Sequence, residues 1–351
     1  MRKYLFPIVA LFAALPCIAS AASLNPGDLV ISEILPYGNE TGSIYAFDPN
    51  TKILTEIVHK APLNNPEKMA ITSDGKIIVA DWYAWDTVAN ATAPGHDRGI
   101  YSIDPFTGTI TTILKNGPLV TPVGVVIASN GDLIVIDHGT NAAQGKVLRI
   151  DRATGVVLGT TTHSSLWSPQ GIVRDKNSGK IYMCDQNGNV FSINESTLAI
   201  TKIGSLGGAQ PQDLIVTENG KLLISTLLGT IYLMDPANGN STRIFNDDTA
   251  GDVVPSGSSF DSLEWIDRDT FAVVNHFSAG DIFGFDFDAA TGSITKSEVL
   301  YNDGIVYGGP LYIPLGIERY DANPVPEPGT LVLLGSGLFG LAGYGRKKLG
   351  K

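Results

Sequence analysis

A strand-like run, a glycine-bearing turn and a second strand-like run return about six times along this chain, and few folds are built that way. The plainest copy is Gly99-Ile100-Tyr101-Ser102-Ile103-Asp104-Pro105-Phe106-Thr107-Gly108-Thr109-Ile110-Thr111. Others open at Ser43, Lys146, Asn189, Thr230 and, more loosely, Asp281. The intervals, roughly 41 to 56 residues, are those of propeller blades, small sheets that bury their faces only by stacking on one another.

Within a copy, Ile100 and Ser102 alternate with Tyr101 and Ile103, as a strand with two different faces requires. The Asp-Pro-x-Thr-Gly stretch then reverses the chain. Asp bonds its own backbone two residues on, Pro fixes φ, and Gly accepts positive φ. Asp48, Asp104, Asp151, Asn194, Asp235 and Asp286 are therefore read as turn residues. A ring of metal ligands is the alternative, but the turns explain these residues without one.

Two further elements precede each copy. One resembles Gly75-Lys76-Ile77-Ile78-Val79-Ala80-Asp81, with relatives beginning at Gly27, Gly131, Gly179 and Gly220 and a weaker one at Asp269. The other begins at Pro66, Pro122, Pro169 and Pro211. Joined, each unit predicts a four-stranded antiparallel blade. The unit at Gly27 lacks its first strand, and a matching segment stands far downstream, at Pro314 to Tyr320. Pairing of that segment with the N-terminal blade would close the ring and remove exposed strand edges. The expected fold is all-β, a six-bladed β-propeller over residues 23–322, flanked by a signal peptide and a short transmembrane helix.

Hydrophobic residues make up 43% of the 351 and charged residues 17%, which suits a folded chain. The net charge is −11. Basic residues gather at both ends: Arg2 and Lys3, then Arg346, Lys347, Lys348 and Lys351. Without these six, 18 basic residues face 35 acidic ones, a balance of −17. Such a body is repelled by nucleic acid. Of the two cysteines, Cys17 lies in the leader, so Cys184 has no partner and reads as a small packed residue.

Residues 1–22 read as a secretory signal. Arg2 and Lys3 form the charged start, Leu5 to Leu15 the apolar run, and Ala19-Ser20-Ala21 the small-x-small cleavage site. Residues 323–329 form a stiff proline-rich linker. An apolar, glycine-rich stretch at 330–345 follows, read as a short membrane segment. The basic tail at 346–351 would stay cytoplasmic and leave the propeller outside.

The repeats resemble the NHL, SMP-30/gluconolactonase and YncE-like β-propellers, a resemblance that implies the fold. The C-terminal end resembles the PEP-CTERM sorting signal: Val325-Pro326-Glu327-Pro328, a short membrane segment, then Arg346-Lys347-Lys348. That resemblance implies recognition and cleavage by an exosortase. It also implies a Gram-negative bacterium that makes extracellular polysaccharide, transient anchoring in the inner membrane, then release or attachment outside.

Strand order puts the loops entering each blade on one face, here called upper, with the tight turns on the lower face. Any site is expected on the upper face, over the channel. SMP-30-type lactonases hold a divalent metal there, several ligands coming from the residue after the first of each inner strand. Those positions read here as Glu67, Val123, Gln170, Gln212, about Phe260, and Leu315, with one carboxylate. Calcium takes six to eight oxygens, so the set falls short; no resident cofactor is predicted, with calcium as the alternative. His138 and His276 stand at matching positions of opposite blades and are the candidate acid/base pair, with backbone-bonded loop histidines as the alternative.

The longest insertion runs from Trp82-Tyr83-Ala84-Trp85-Asp86 to His96-Asp97-Arg98. Aromatic rings beside carboxylates suit sugars; the alternative is that Trp82 and Trp85 fold down over the blade. The expected function is a non-catalytic binding or scaffold protein of the cell surface or exopolysaccharide matrix. Its candidate ligand-binding residues are Trp82, Trp85, Asp86, Glu67, Gln170 and Gln212, for a polysaccharide or a protein. A lactonase, hydrolase or lyase using the upper face is the alternative.

Overall fold

The computed structural model describes residues 24–34, 42–82, 98–139, 145–248, 253–276, 280–302, 311 and 313–322. Their strands fall into six four-stranded sheets. Blade 1 contains β1 (Leu29–Ile34), β2 (Ser43–Asp48) and β3 (Ile53–His59). Blade 2 contains β4 (Pro66–Ile71), β5 (Ile77–Asp81), β6 (Gly99–Asp104) and β7 (Thr109–Lys115). Blade 3 contains β8 (Pro122–Ile127), β9 (Leu133–Asp137), β10 (Lys146–Ile150) and β11 (Val157–Thr161). Blade 4 contains β12 (Pro169–Arg174), β13 (Ile181–Asp185), β14 (Asn189–Ile193) and β15 (Ile200–Ser205). Blade 5 contains β16 (Pro211–Val216), β17 (Leu222–Thr226), β18 (Thr230–Met234) and β19 (Ser241–Asn246). Blade 6 contains β20 (Phe260–Trp265), β21 (Thr270–Asn275), β22 (Ile282–Asp288) and β23 (Ser293–Tyr301). The last strand, β24 (Ile313–Arg319), returns to blade 1.

The ring closes as the sequence predicts. β24 pairs antiparallel with β1, with Ile31 opposite Ile317 and Val30 opposite Glu318. Inner strands such as β4 and β8 are buried along nearly their whole length, whereas outer strands such as β3 and β7 are largely exposed. Six apolar clusters stand at the six blade junctions, so each sheet buries both faces against its neighbours. Cys184 is buried in the cluster between blades 4 and 5, and burial raises its thiol.

Turn chemistry accounts for the repeated acids. Oδ1 of Asp48, Asp104, Asp151, Asn194 and Asp235 each accepts the backbone N–H two residues on, at 2.8 to 3.0 Å. In blade 6 the turn residue is Asp288, not Asp286, because β22 runs two residues further before it reverses.

A second set of side chains ties down the upper loops. Asp81 accepts the N–H groups of Asn64 and Asn65, both at 2.8 Å. Asp137 does the same for Val120 and Thr121, Asp185 for Trp167, and Asn275 for Ser259. Each fixes the loop that enters its blade's inner strand, so the channel mouth rests on preorganised backbone.

Near the axis the inner strands approach too closely for some side chains. A Cβ on Gly171 would lie 2.5 Å from Asp213 Cα, and one on Gly316 would lie 2.4 Å from the Glu67 carbonyl oxygen.

Candidate functional site

The channel has two mouths with different chemistry. At the upper mouth, Lys68 of β4 reaches across the axis to three other blades. Its Nζ donates to the carbonyl oxygens of Asp261 at 2.5 Å and Leu315 at 2.8 Å, and stands 3.7 Å from Asp213 Oδ2. Asp213 also accepts from the Ser262 hydroxyl. Lys68, Asp213 and Ser262 occupy the third position of their inner strands, where Gly124, Gly171 and, counted in β24 from Pro314, Gly316 stand in the other blades.

Beside it, Trp82 Nε1 donates to Glu67 Oε1 at 2.5 Å, and His276 Nδ1 is paired with Asp261 Oδ2. Burial pushes the Glu67 carboxyl up to about 7; Asp261 adds to the rise, while Lys68, the Trp82 indole and His276 oppose it. At His276 desolvation opposes protonation. The charge and hydrogen bond of Asp261, with Glu67 behind, outweigh it and raise the imidazole above its usual value.

Asp261 is a correction to the sequence reading. β20 begins at Phe260, so the residue equivalent to Glu67 is Asp261, and the mouth holds two carboxylates at that level, not one. Even so, these residues do not fit the divalent cation that the lactonase resemblance raises. An ammonium already takes carbonyl oxygens of two inner strands, and a doubly charged ion beside it would be repelled. Among the described residues no group of three or more His, Cys, Asp and Glu is arranged to hold a metal.

The two histidines do not form a bonded pair. His138 Nε2 bonds the hydroxyl of Ser168 in blade 4, and burial lowers its imidazole against the pull of Asp137. His276 is held within blade 6 by Asp261. Gln170 Nε2 reaches the Ser168 hydroxyl at 3.5 Å, and buried Gln212 donates to the Gln210 carbonyl at 3.3 Å. Trp82 is half-buried and packs against the cluster between blades 3 and 4. Trp85 and Asp86, the cleavage site at Ala19 and Ala21, and Pro326, Glu327, Pro328, Arg346, Lys347 and Lys348 lie outside the described residues.

The lower mouth opens into a cavity of about 440 Å³, on the face opposite to the one the sequence singles out. Its walls are the last residues of the inner strands, among them Ile71, Val126, Ile127, Val173, Ile215 and Val216. Three glutamates line it: Glu264 of β20, Glu318 of β24 and, paired with Arg268, Glu218. Burial raises the Glu264 and Glu318 carboxyls, and the charge of Glu264 adds to the rise at Glu318. At the rim, Asp321 is held by Lys176 at 3.3 Å and by Arg319 at 2.9 Å. The chain therefore leaves the propeller on this face. The inner-strand registers contain the signal for this site: the fifth positions, counted in β24 from Pro314, read Ala70, Val126, Val173, Ile215, Glu264 and Glu318.

Residues 324–347 match the PEP-CTERM protein-sorting motif. The motif marks an exported, exosortase-processed protein of Gram-negative type. No curated protein matches the chain. Among solved structures, a chain of the nidogen/laminin complex is similar at 13% identity and a TM-score of 0.59, over 84% of this chain and 99% of that one. The periplasmic gluconolactonase of Pseudomonas aeruginosa is similar at 17% identity and 0.55, over 77% and 82%. A 6-phosphogluconolactonase-like protein of Bacteroides fragilis is similar at 15% and 0.55, over 78% and 82%. At these identities the likeness shows the propeller fold.

Proposed function

We propose that this propeller is a non-catalytic binding or scaffold protein of the cell surface or exopolysaccharide matrix, delivered there by its sorting tail. Residues 330–345 would cross the inner membrane, with 346–351 cytoplasmic, until the exosortase cuts near Pro326-Glu327-Pro328. One observation carries the non-catalytic reading: the upper-mouth polar groups are engaged with one another. Lys68 holds two carbonyls, Trp82 holds Glu67, Asp261 holds His276, and Ser168 holds His138. A departure of the tail from the lower face supports the upper loops as the outward, ligand-facing surface.

The ligand is a glycan or a protein met by the loop that contains Trp85 and Asp86. Polysaccharide pull-down and a glycan array test this. Binding by the intact protein, lost in Trp85→Ala, is expected; no binding by the intact protein refutes it.

A second reading has one observation in its favour. Glu67, with a carboxyl near pH 7, lies within electrostatic reach of the His276–Asp261 pair, an arrangement able to move a proton. Lactone or lyase turnover that disappears in both Glu67→Gln and His276→Ala would establish that reading over binding alone.

A further inference from the structure

The lower cavity holds two buried carboxyls whose charge the fold answers only in part, through Lys176 at a distance. Glu264 and Glu318 occupy the same register on neighbouring inner strands, β20 and β24. Both carboxyl groups are deep in the protein, yet both residues keep some accessible surface and both line the cavity. That surface therefore opens into the cavity. Glu264 accepts one bond, from the Trp265 N–H at 2.9 Å, and no hydrogen bond to the Glu318 side chain is present among the described residues. Neither has a cation within ion-pair distance there. Lys176 lies within electrostatic reach of both and opposes their rise, but its ammonium is bonded to Asp321 at the rim, where its side chain is 74% exposed. Arg174 is engaged by Glu195, and Arg268 by Glu218.

Two neighbouring carboxyls, buried without a bonded cation, cost stability and return none of it as structure. Elsewhere on the same level the fold uses Ala70, Val126, Val173 and Ile215, so apolar residues fit there. The arrangement is what a ligand of opposite charge would complete. The strand ends supply an aliphatic wall inside a rim of charged and polar residues, and the volume falls within the range of small-molecule pockets.

We propose that the lower cavity is a binding site for an aliphatic primary amine, its ammonium between Glu264 and Glu318 and its hydrocarbon arm against Val126, Val173 and Ile215. The ammonium donates to both carboxylates, and the arm displaces water from the strand ends. This site is separate from the upper-face ligand proposed above and is tested without reference to it.

The probe is n-pentylamine, titrated calorimetrically into the purified full chain at neutral pH, with 1-pentanol and pentanoate as controls of equal length. Saturable binding of the amine is expected, at least ten-fold tighter than either control. The double variant Glu264→Gln, Glu318→Gln is expected to lose it by ten-fold or more. The amides keep shape and remove charge, so its melting temperature should not fall below that of the parent. A single Val173→Phe substitution, which fills the arm's path and keeps both acids, should also weaken the amine. No amine binding, alcohol binding as tight as amine binding, or full binding by the double variant would each overturn the proposal.

Discussion

Replacing Lys68 by Met tests the reading of the upper mouth most sharply. Met keeps most of the aliphatic volume, so little of the effect comes from a cavity. What is lost is the ammonium, which bonds two carbonyl oxygens at 2.5 and 2.8 Å and faces Asp213 at 3.7 Å. Asp213 keeps the Ser262 hydroxyl and the Leu214 N–H at 2.9 Å, but no cation. Breaking a buried pair from one side costs about 3–5 kcal/mol. In a domain of this size each kcal/mol moves the melting temperature by about 2 °C, so a fall of about 6–10 °C is expected by calorimetry at pH 7. Adding Asp213→Asn removes the stranded charge, and the double variant should regain a third or more of the loss. A single variant within 1 °C of the parent, or a double variant that melts lower still, would refute the bridging role.

The upper mouth also predicts a pH dependence. Burial raises Glu67 from 4.5 to about 7, so between those values the native state holds a proton that the unfolded chain releases. Its stabilising contribution, about 3 kcal/mol, is complete below the lower value and lost as pH rises through the upper one. Asp81, raised by burial to about 8, acts in the same direction. Melting temperature should therefore be higher at pH 5.5 than at 8.5, with a smaller difference in Glu67→Gln; a rise toward pH 8.5 contradicts this. At Gly171 an added methyl meets the Asp213 Cα, which as backbone has little room to move. Gly171→Ala should cost about 1–3 kcal/mol in denaturant unfolding, and a neutral result would show that the inner strands are not so closely set.

The blades were legible because their signals are local. An Asp that caps its own turn is written in three or four consecutive residues, and Asp48 through Asp235 behave as their sequence implies. Blade 6 is where locality fails. Its inner strand begins with Phe260 where four others begin with Pro, and a one-residue shift there conceals Asp261. The reach of Lys68 across the axis has no sequence signal at all, since its partners lie 193 and 247 residues away. His138 and His276 do lie in opposite blades, but Ser168 and Asp261, each nearby in space, engage them first. The lower cavity escapes a reading that attends to the second position of each inner strand. Its acids stand three residues further on, visible only once all six strands are in register.

The propeller depends on a ring closed by its last strand. Amide hydrogen exchange read by mass spectrometry tests this directly, by comparing residues 313–320 with β1 and β2, to which β24 is joined in one sheet. Slow exchange of 313–320, with the same midpoint in denaturant as residues 29–34 and 43–48, is the predicted result. Fast exchange at 313–320 while the other blades stay protected would contradict it.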